Sequence, residues 1–305
     1  MYTFAVMEQN KNIRLLSWVI LTLLTGIWGS SFILIKKGLV SFSPDQVGAL
    51  RIISAGVFLL PVSLKNLRKY SRRNFKWLTS VGLVGSFIPA FLFATAQTQI
   101  NSSLAGILNS LTPLFVLIIG IVFFKQKTRY TVLIGLFLGL VGCFLLISNG
   151  NNGFGDFNLY GLLIVVATVC YGANVNIIKY RLEGLSAQFI TSASLLIVLP
   201  VASIYLFLFT PFLTVLKETE GAYLSLSYIV LLGVMGTSVA LIMFNRLVQL
   251  TNPVFTSLVT YLMPIVAVGW GVIDHEVIRW IHLVGLGIIV LSVYLVNSGQ
   301  RLNKY

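Results

Sequence analysis

Residues 101–118 read NSSLAGILNSLTPLFVLI, and residues 252–268 read NPVFTSLVTYLMPIVAV. Both set Asn, Ser, Thr and a mid-segment proline into strongly apolar sequence. In lipid a polar group without a partner is costly, so such side chains must face neighbouring helices or a water-filled space. Ser102, Gly106, Asn109 and Pro113 follow spacings of 4, 3 and 4 and so share one helical face, and Ser257, Tyr261 and Pro264 repeat the spacings 4 and 3. At a rise of ~1.5 Å per residue, Pro113 falls roughly 15 Å deep, near the middle of a bilayer. Asn109 and Tyr261 are therefore expected to line a cavity, and Pro113 and Pro264 to act as hinges. The small residues on the same face favour close helix packing.

The 305 residues around these segments are 57% hydrophobic and 10% charged, with a mean hydropathy of +0.94. Soluble domains carry about a quarter charged residues, because their surfaces must be wetted. A chain this poor in charge has lipid as its main solvent. Ten runs long enough to span a bilayer are expected near 15–36, 44–64, 75–97, 103–124, 130–148, 159–179, 186–209, 223–246, 251–273 and 279–298. Their short connections predict an all-α integral membrane protein. The strand-type alternation of a barrel is absent from the sequence. The first run exceeds the apolar core of a signal peptide and is expected to be retained.

A net charge of +13 raises the question of nucleic acid, but the placement of the charges answers it. With the N-terminus inside, basic residues crowd the cytoplasmic connections, as in KNLRKYSRRNFK at 65–76, while the outer ends hold Lys36, Lys37, Lys217 and Arg279. That skew predicts both termini in the cytoplasm of a multi-pass cell-membrane protein, with lipid and not nucleic acid as partner. Cys143 and Cys170 fall inside predicted spans and read as packing residues.

The two opening segments belong to a longer repetition. Trp28, Gly29 and Lys36 align with Tyr171, Gly172 and Lys179 at an offset of 143; Gly82, Gly85 and Pro113 align with Gly233, Gly236 and Pro264 at 151; Gly135 aligns with Gly285 at 150. Five helices per half is an odd number, so the second half enters the membrane from the opposite side. Two inverted repeats, 14–149 and 156–299, joined by the Gly- and Asn-rich SNGNNGFGDFN, suit alternating access about a midplane site.

The segments WGSSF with Lys36, SPDQVGALR at 43–51, AGILNSLTPLFVLIIG at 105–120, YGANVNIIK at 171–179 and FTSLVTYLMPIVAVGWGVIDHE at 255–276 together resemble the drug/metabolite transporter superfamily, specifically a chain with two EamA-like domains. The resemblance implies a central cavity enclosed by helices 1, 3, 4, 6, 8 and 9, and efflux of amino acids or related metabolites as the commonest activity. Family members usually place a Glu nine residues before the Gly that opens the last helix of each half. Here Glu276 precedes Gly285, but Gln126 precedes Gly135.

From the residues themselves, Trp28 and Tyr171 sit mid-span and, with Asn174 and Asn176, read as walls of an amphipathic pocket; Phe91 is a further candidate. Arg51, inside the second helix, and Glu276 are the charges to consider for coupling or for structure. Glu276 and Arg279 are spaced to form a solvated ion pair, and Lys36 and Lys179 read as interface anchors. No carboxylate falls mid-span, which favours an uncharged or zwitterionic solute over a dication. Amino acids lead, with nucleosides, sugars and drug-like amines as the alternative. A lipid-processing enzyme is the distant alternative: DHE at 274–276 has no second His four residues on, and with two His and eight acids catalysis, a metal or a cofactor is not expected. Helices 5 and 10, rich in Gly and aliphatics, are expected to buttress the bundle or form a homodimer seam.

Overall fold

The computed structural model describes residues 2–66, 72–125, 130–147, 149–150, 153–154, 158–250 and 253–301. They form a helical bundle. In the first half run α1 (Tyr2–Gly38), α2 (Pro44–Lys65), α3 (Arg72–Gly82), α4 (Ile88–Ala96), α5 (Ser102–Asn109), α6 (Thr112–Phe124) and α7 (Tyr130–Ile147). In the second run α8 (Tyr160–Arg181), α9 (Ala187–Phe209), α10 (Phe212–Glu218), α11 (Ala222–Leu231), α12 (Ala240–Leu250), α13 (Pro253–Ile273) and α14 (Trp280–Arg301). A two-residue antiparallel pair, β1 (Asn149–Gly150) with β2 (Gly153–Phe154), lies in the connection between α7 and α8. Seven helical segments are long and apolar enough to cross a membrane, and Phe137–Leu146, Leu262–Ile273 and Trp280–Ser292 are shorter apolar stretches.

Helix ends are closed locally, as a membrane requires. Asn101 accepts from the Leu104 amide (2.8 Å) at the start of α5, and Ser186 from the Phe189 amide (3.3 Å) at the start of α9. Gln46 reaches back to the Ser43 amide (3.1 Å) ahead of α2, whose first residue is Pro44.

Two spans contain π-helical turns, Leu83–Phe87 between α3 and α4 and Leu232–Val239 between α11 and α12. They fall at related positions, since Gly85 in the first corresponds to Gly236 in the second at the 151-residue offset. Such wide turns inside α-helices are rare and concentrate at functional sites.

The packing obeys an exchange between halves. α1 lies on α13 while α8 lies on α6, α1 meets α12 while α8 meets α4, and the pairs α2–α9 and α7–α14 each join corresponding helices. The closest approaches follow the same rule. A Cβ on Gly29 would lie 2.5 Å from Val266 of α13, and one on Gly172 would lie 2.7 Å from the Phe115 backbone of α6. Positions 115 and 266 differ by the same 151 residues.

The proline segments differ in outcome. The fourth span is broken: α5 stops at Asn109, Ser110 and Leu111 turn back to the Ile107 and Leu108 carbonyls (both 3.1 Å), and α6 restarts with Pro113 in its first turn. The single continuous face through Ser102, Gly106, Asn109 and Pro113 is therefore corrected to two helical faces. Pro113 lacks an N–H and is well suited to begin a helix. Pro264 instead sits buried within the uninterrupted α13.

Candidate functional site

A polar cluster lies where α1 and α13 end and α5 begins. α13 closes in a Schellman arrangement: the His275 amide donates to the Val272 carbonyl (3.2 Å) and the Glu276 amide to the Gly271 carbonyl (2.8 Å). His275 occupies the left-handed region at φ 56°, normally a glycine position, and this turn folds Glu276 back over the helix end. There its carboxylate meets the first turn of α5. Oε1 accepts from the Ser102 amide (2.9 Å) and hydroxyl (2.7 Å), and Oε2 from the Ser103 amide (3.0 Å) and hydroxyl (2.6 Å). Those amides are free at a helix start, and the helix dipole favours an anion there. Lys36, in the last turn of α1, completes the set at 2.8 Å from Glu276 and 2.7 Å from Asp274, and Lys37 contacts Asp274 at 2.5 Å.

Two expectations are corrected here. Glu276 is not a solvated partner of an i, i+3 pair, because its side chain is 2% exposed and directed at α5. Lys36 is not merely an interface anchor but an ion-pair partner across helices. Burial pushes the Glu276 carboxyl up, yet hydrogen bonds from Lys36, Ser103 and Ser102 prevail and hold it at about 2. Asp274 is lowered by its hydrogen bonds to Lys36 and Lys37.

A second cluster forms at mid-span around the π turns. The Trp28 indole donates to the Gly236 carbonyl (2.9 Å), and its ring packs on Phe244, centroids 5.2 Å apart. Arg51 Nε donates to the Thr237 hydroxyl (3.0 Å) one residue further along that turn. The Tyr171 ring stacks on Phe93 with centroids 6.2 Å apart, and its phenol feels the charge of the Arg51 guanidinium. Asn174, one turn on from Tyr171, rests on Gly85, where an added Cβ would fall 2.7 Å from Oδ1. The Oδ1 atom is buried without a hydrogen-bond partner. Ser31 holds the related place against Gly236, with its hydroxyl 2.8 Å from where a Cβ would stand.

Trp28 and Arg51 thus bond consecutive residues of one π turn, Tyr171 lies within the influence of Arg51, and Asn174 follows Tyr171 by three residues on α8. Phe93, Ser31 and Thr237 belong to the same cluster, and sequence reasoning passed over them because singly they look like packing residues.

The other expected residues land elsewhere. Asn176 is no pocket wall: buried, it donates to the Gly172 (2.9 Å) and Val116 (2.8 Å) carbonyls and ties α8 to α6. Phe91 packs between Phe87 and Tyr205, centroids 4.9 and 6.0 Å away, over Gly48 on the α2 side. Asn109 is buried at the α5–α6 break, where the Thr112 hydroxyl donates to its carbonyl (2.8 Å). Lys179 places its ammonium over the Tyr180 ring, 5.0 Å from the centroid. Gln126 and the side chains of Tyr261, Ser257 and Cys143 lie outside the described residues, while Cys170 is a free, half-buried thiol. A shallow groove of about 540 Å³ lined by Tyr223, Leu226 and Met235 opens on the outside of the bundle and includes none of the expected site residues.

Residues 16–148 and 158–298 each match the EamA-like transporter family. Over 289 residues the chain is 28% identical to the uncharacterized inner membrane transporter YedA of Escherichia coli (strain K12), covering 90% of this chain and 89% of that one. An uncharacterized transporter of Archaeoglobus fulgidus is 22% identical over 281 residues, covering 92% and 98%. One solved crystal structure superposes with a TM-score of 0.62 at 16% identity over 94% of this chain and 98% of the other, a likeness of fold alone.

Proposed function

The chain belongs to the EamA-like transporter family, and from that membership we propose a carrier that exports small organic metabolites, foremost amino acids or related amphipathic solutes, by alternating access. It has ten spans in two inverted five-helix repeats, 14–149 and 156–299, with both termini cytoplasmic in the inner membrane, where YedA is named to reside. This orientation puts the Glu276 cluster on the outer side. Helices α7 and α14 stand apart from the cavity, joined by the Ser292 hydroxyl on the Gly135 carbonyl (2.6 Å), and offer the seam of a homodimer.

The observation that carries alternating access is the polar closure itself. Glu276, Lys36 and the first turn of α5 draw three spans together at one end. The positions related to them in the other half are Gln126, Lys179 and Pro253, which lack a carboxylate. One gate is held by an ion pair and the other is not. Trp28, Arg51, Tyr171 and Asn174 lie between the two ends and supply aromatic faces, one cation and one neutral amide to a solute. Asn109 and Tyr261 are further lining positions of the proposed cavity, with Pro113 and Pro264 at its bending helices.

The test is efflux from proteoliposomes loaded with a labelled amino-acid mixture, with and without an imposed pH gradient. Selective efflux that ignores the gradient is expected, because no titratable carboxylate stands mid-span among the described residues. Failure of every amino acid to leave vesicles containing folded protein would overturn the substrate class and bring nucleosides, sugars and amines forward.

A further inference from the structure

Arg51 is the eighth residue of α2, about 10 Å along the helix from its first residue. A guanidinium inside a span needs compensation, and three kinds are available: a carboxylate, backbone carbonyls or a ligand. Lys36 and Lys37 pair with Asp274 and Glu276 at the end of α1, away from Arg51. Asp45, the acid on Arg51's own helix, accepts from the Tyr205 hydroxyl (3.2 Å) at the far end of α2's first turn. What Arg51 meets instead is the Thr237 hydroxyl on Nε (3.0 Å). Five N–H donors make up a guanidinium, and neutral hydroxyls neither neutralise its charge nor fill the bidentate fork of its terminal nitrogens.

Two independent features point to what fills it. The first is Asn174 Oδ1, an acceptor buried without a donor on the same face of α8 as Tyr171, three residues away. The second is the broken symmetry. Ser194 stands where the 143-residue offset puts the counterpart of Arg51, and its hydroxyl is satisfied internally by the Thr191 carbonyl (3.1 Å). The mid-span cluster therefore holds a single cation and an acceptor that lacks a proton donor, beside the aromatic rings of Tyr171, Phe93 and Trp28.

We propose that Arg51 is the anion-receiving group of the transport site, and that the solute carries one carboxylate for the Arg51 fork and an N–H donor for Asn174 Oδ1. This rests on the carrier reading of the same cluster and narrows it. Zwitterionic amine–acids fit, with the apolar part against Tyr171 and Phe93. Dianions such as phosphate esters have one cation too few, and amines without an acid leave Arg51 uncompensated.

The test compares each transported free amino acid with its carboxamide in two measurements. One is competition against labelled counterflow in proteoliposomes, and the other is thermal stabilisation of the purified full chain in detergent. The free acid is expected to outcompete the carboxamide at least tenfold in the wild-type protein. Arg51→Gln should bring the acid down to the level of the amide, and Arg51→Lys should retain part of the preference. Asn174→Leu should instead erase the preference for the amino acid over its deamino analogue, which carries no N–H.

Equal competition by acid and amide in the wild type would overturn the proposal and leave the carrier reading standing, whether or not the variants fold. So would an Arg51→Gln protein that slows all solutes alike. Stabilisation by acids that depends on Arg51, in a protein that moves none of them, would keep the anion site and sink the carrier reading.

Discussion

Glu276 accepts five hydrogen bonds, from two amides, two hydroxyls and one ammonium, and each belongs to a helix other than α13. A carboxyl held at about 2, against an ordinary value of 4.5, contributes its stabilisation in full above the ordinary value and loses it as pH falls through about 2. Between about pH 5.5 and 8 its charge is constant, so a physiological proton gradient does not unlatch it. Replacing it with Gln removes the charge and sets an amide N–H₂ against donors that remain. Hydrogen bonds to charged groups contribute roughly 1.5–3 kcal/mol, so Glu276→Gln is expected to shift the closure about 10- to 150-fold toward the open form. Labelling of Ala105→Cys by an impermeant maleimide, in a background lacking Cys143 and Cys170, reads this directly. Labelling at fixed pH that is unchanged by Glu276→Gln would refute the latch. The sequence places Glu276 in register with Gly285, but its partners were hidden. A left-handed C-terminal turn is normally announced by Gly, and here His275 adopts it, so the i, i+3 neighbour Arg279 looked like the natural partner.

At the level of helices, small residues set how closely spans approach. Gly172 lies on the backbone of Phe115 and Val116, which cannot move aside as a flexible side chain can. Gly172→Ala is expected to cost on the order of 1–3 kcal/mol by overpacking. Gly287 in α14 is the matched control: nothing lies within 4 Å of its added Cβ, so Gly287→Ala should be neutral or stabilise by up to about 1 kcal/mol through helix propensity. Thermal unfolding of both variants in detergent checks the pair, and equal midpoints would show that the close approach is not under compression. The Gly and Pro pattern made these spans legible, but not their continuity. Pro113 and Pro264 look alike in sequence, yet the first follows Asn109 and Thr112, whose carbonyl and hydroxyl end α5 by bonding each other. Pro264 follows Leu262 and Met263, which supply no such cap, and the helix runs on.

For the whole molecule, Gly29 and Gly172, which correspond at the 143-residue offset, touch Val266 and Phe115, which correspond at the 151-residue offset, and each span of one half rests chiefly on the other half. A bundle so arranged opens one end by moving the contacts that close the other, which ties the two gates to a single equilibrium. The charge at the gates is not shared equally. Glu276 pairs with Lys36, whereas the residue that corresponds to Glu276 in the sequence of the first half is Gln126. A protein with one latched gate rests with the latched end closed, and each cycle must release that latch. Supplying the missing carboxylate should then change the resting state in a definite sense. Gln126→Glu alone latches both ends, raises the barrier in either direction and is expected to slow solute exchange about tenfold, equivalent to ~1.4 kcal/mol. Gln126→Glu combined with Glu276→Gln moves the latch to the other end, so exchange should recover while the Ala105→Cys site becomes the more accessible of the two gates. Exchange rates in proteoliposomes and two-sided maleimide labelling read both quantities together. If the double variant is slower than either single one, the two gates do not share an equilibrium, and the exchange of contacts between halves is a packing symmetry without a transport cycle built on it.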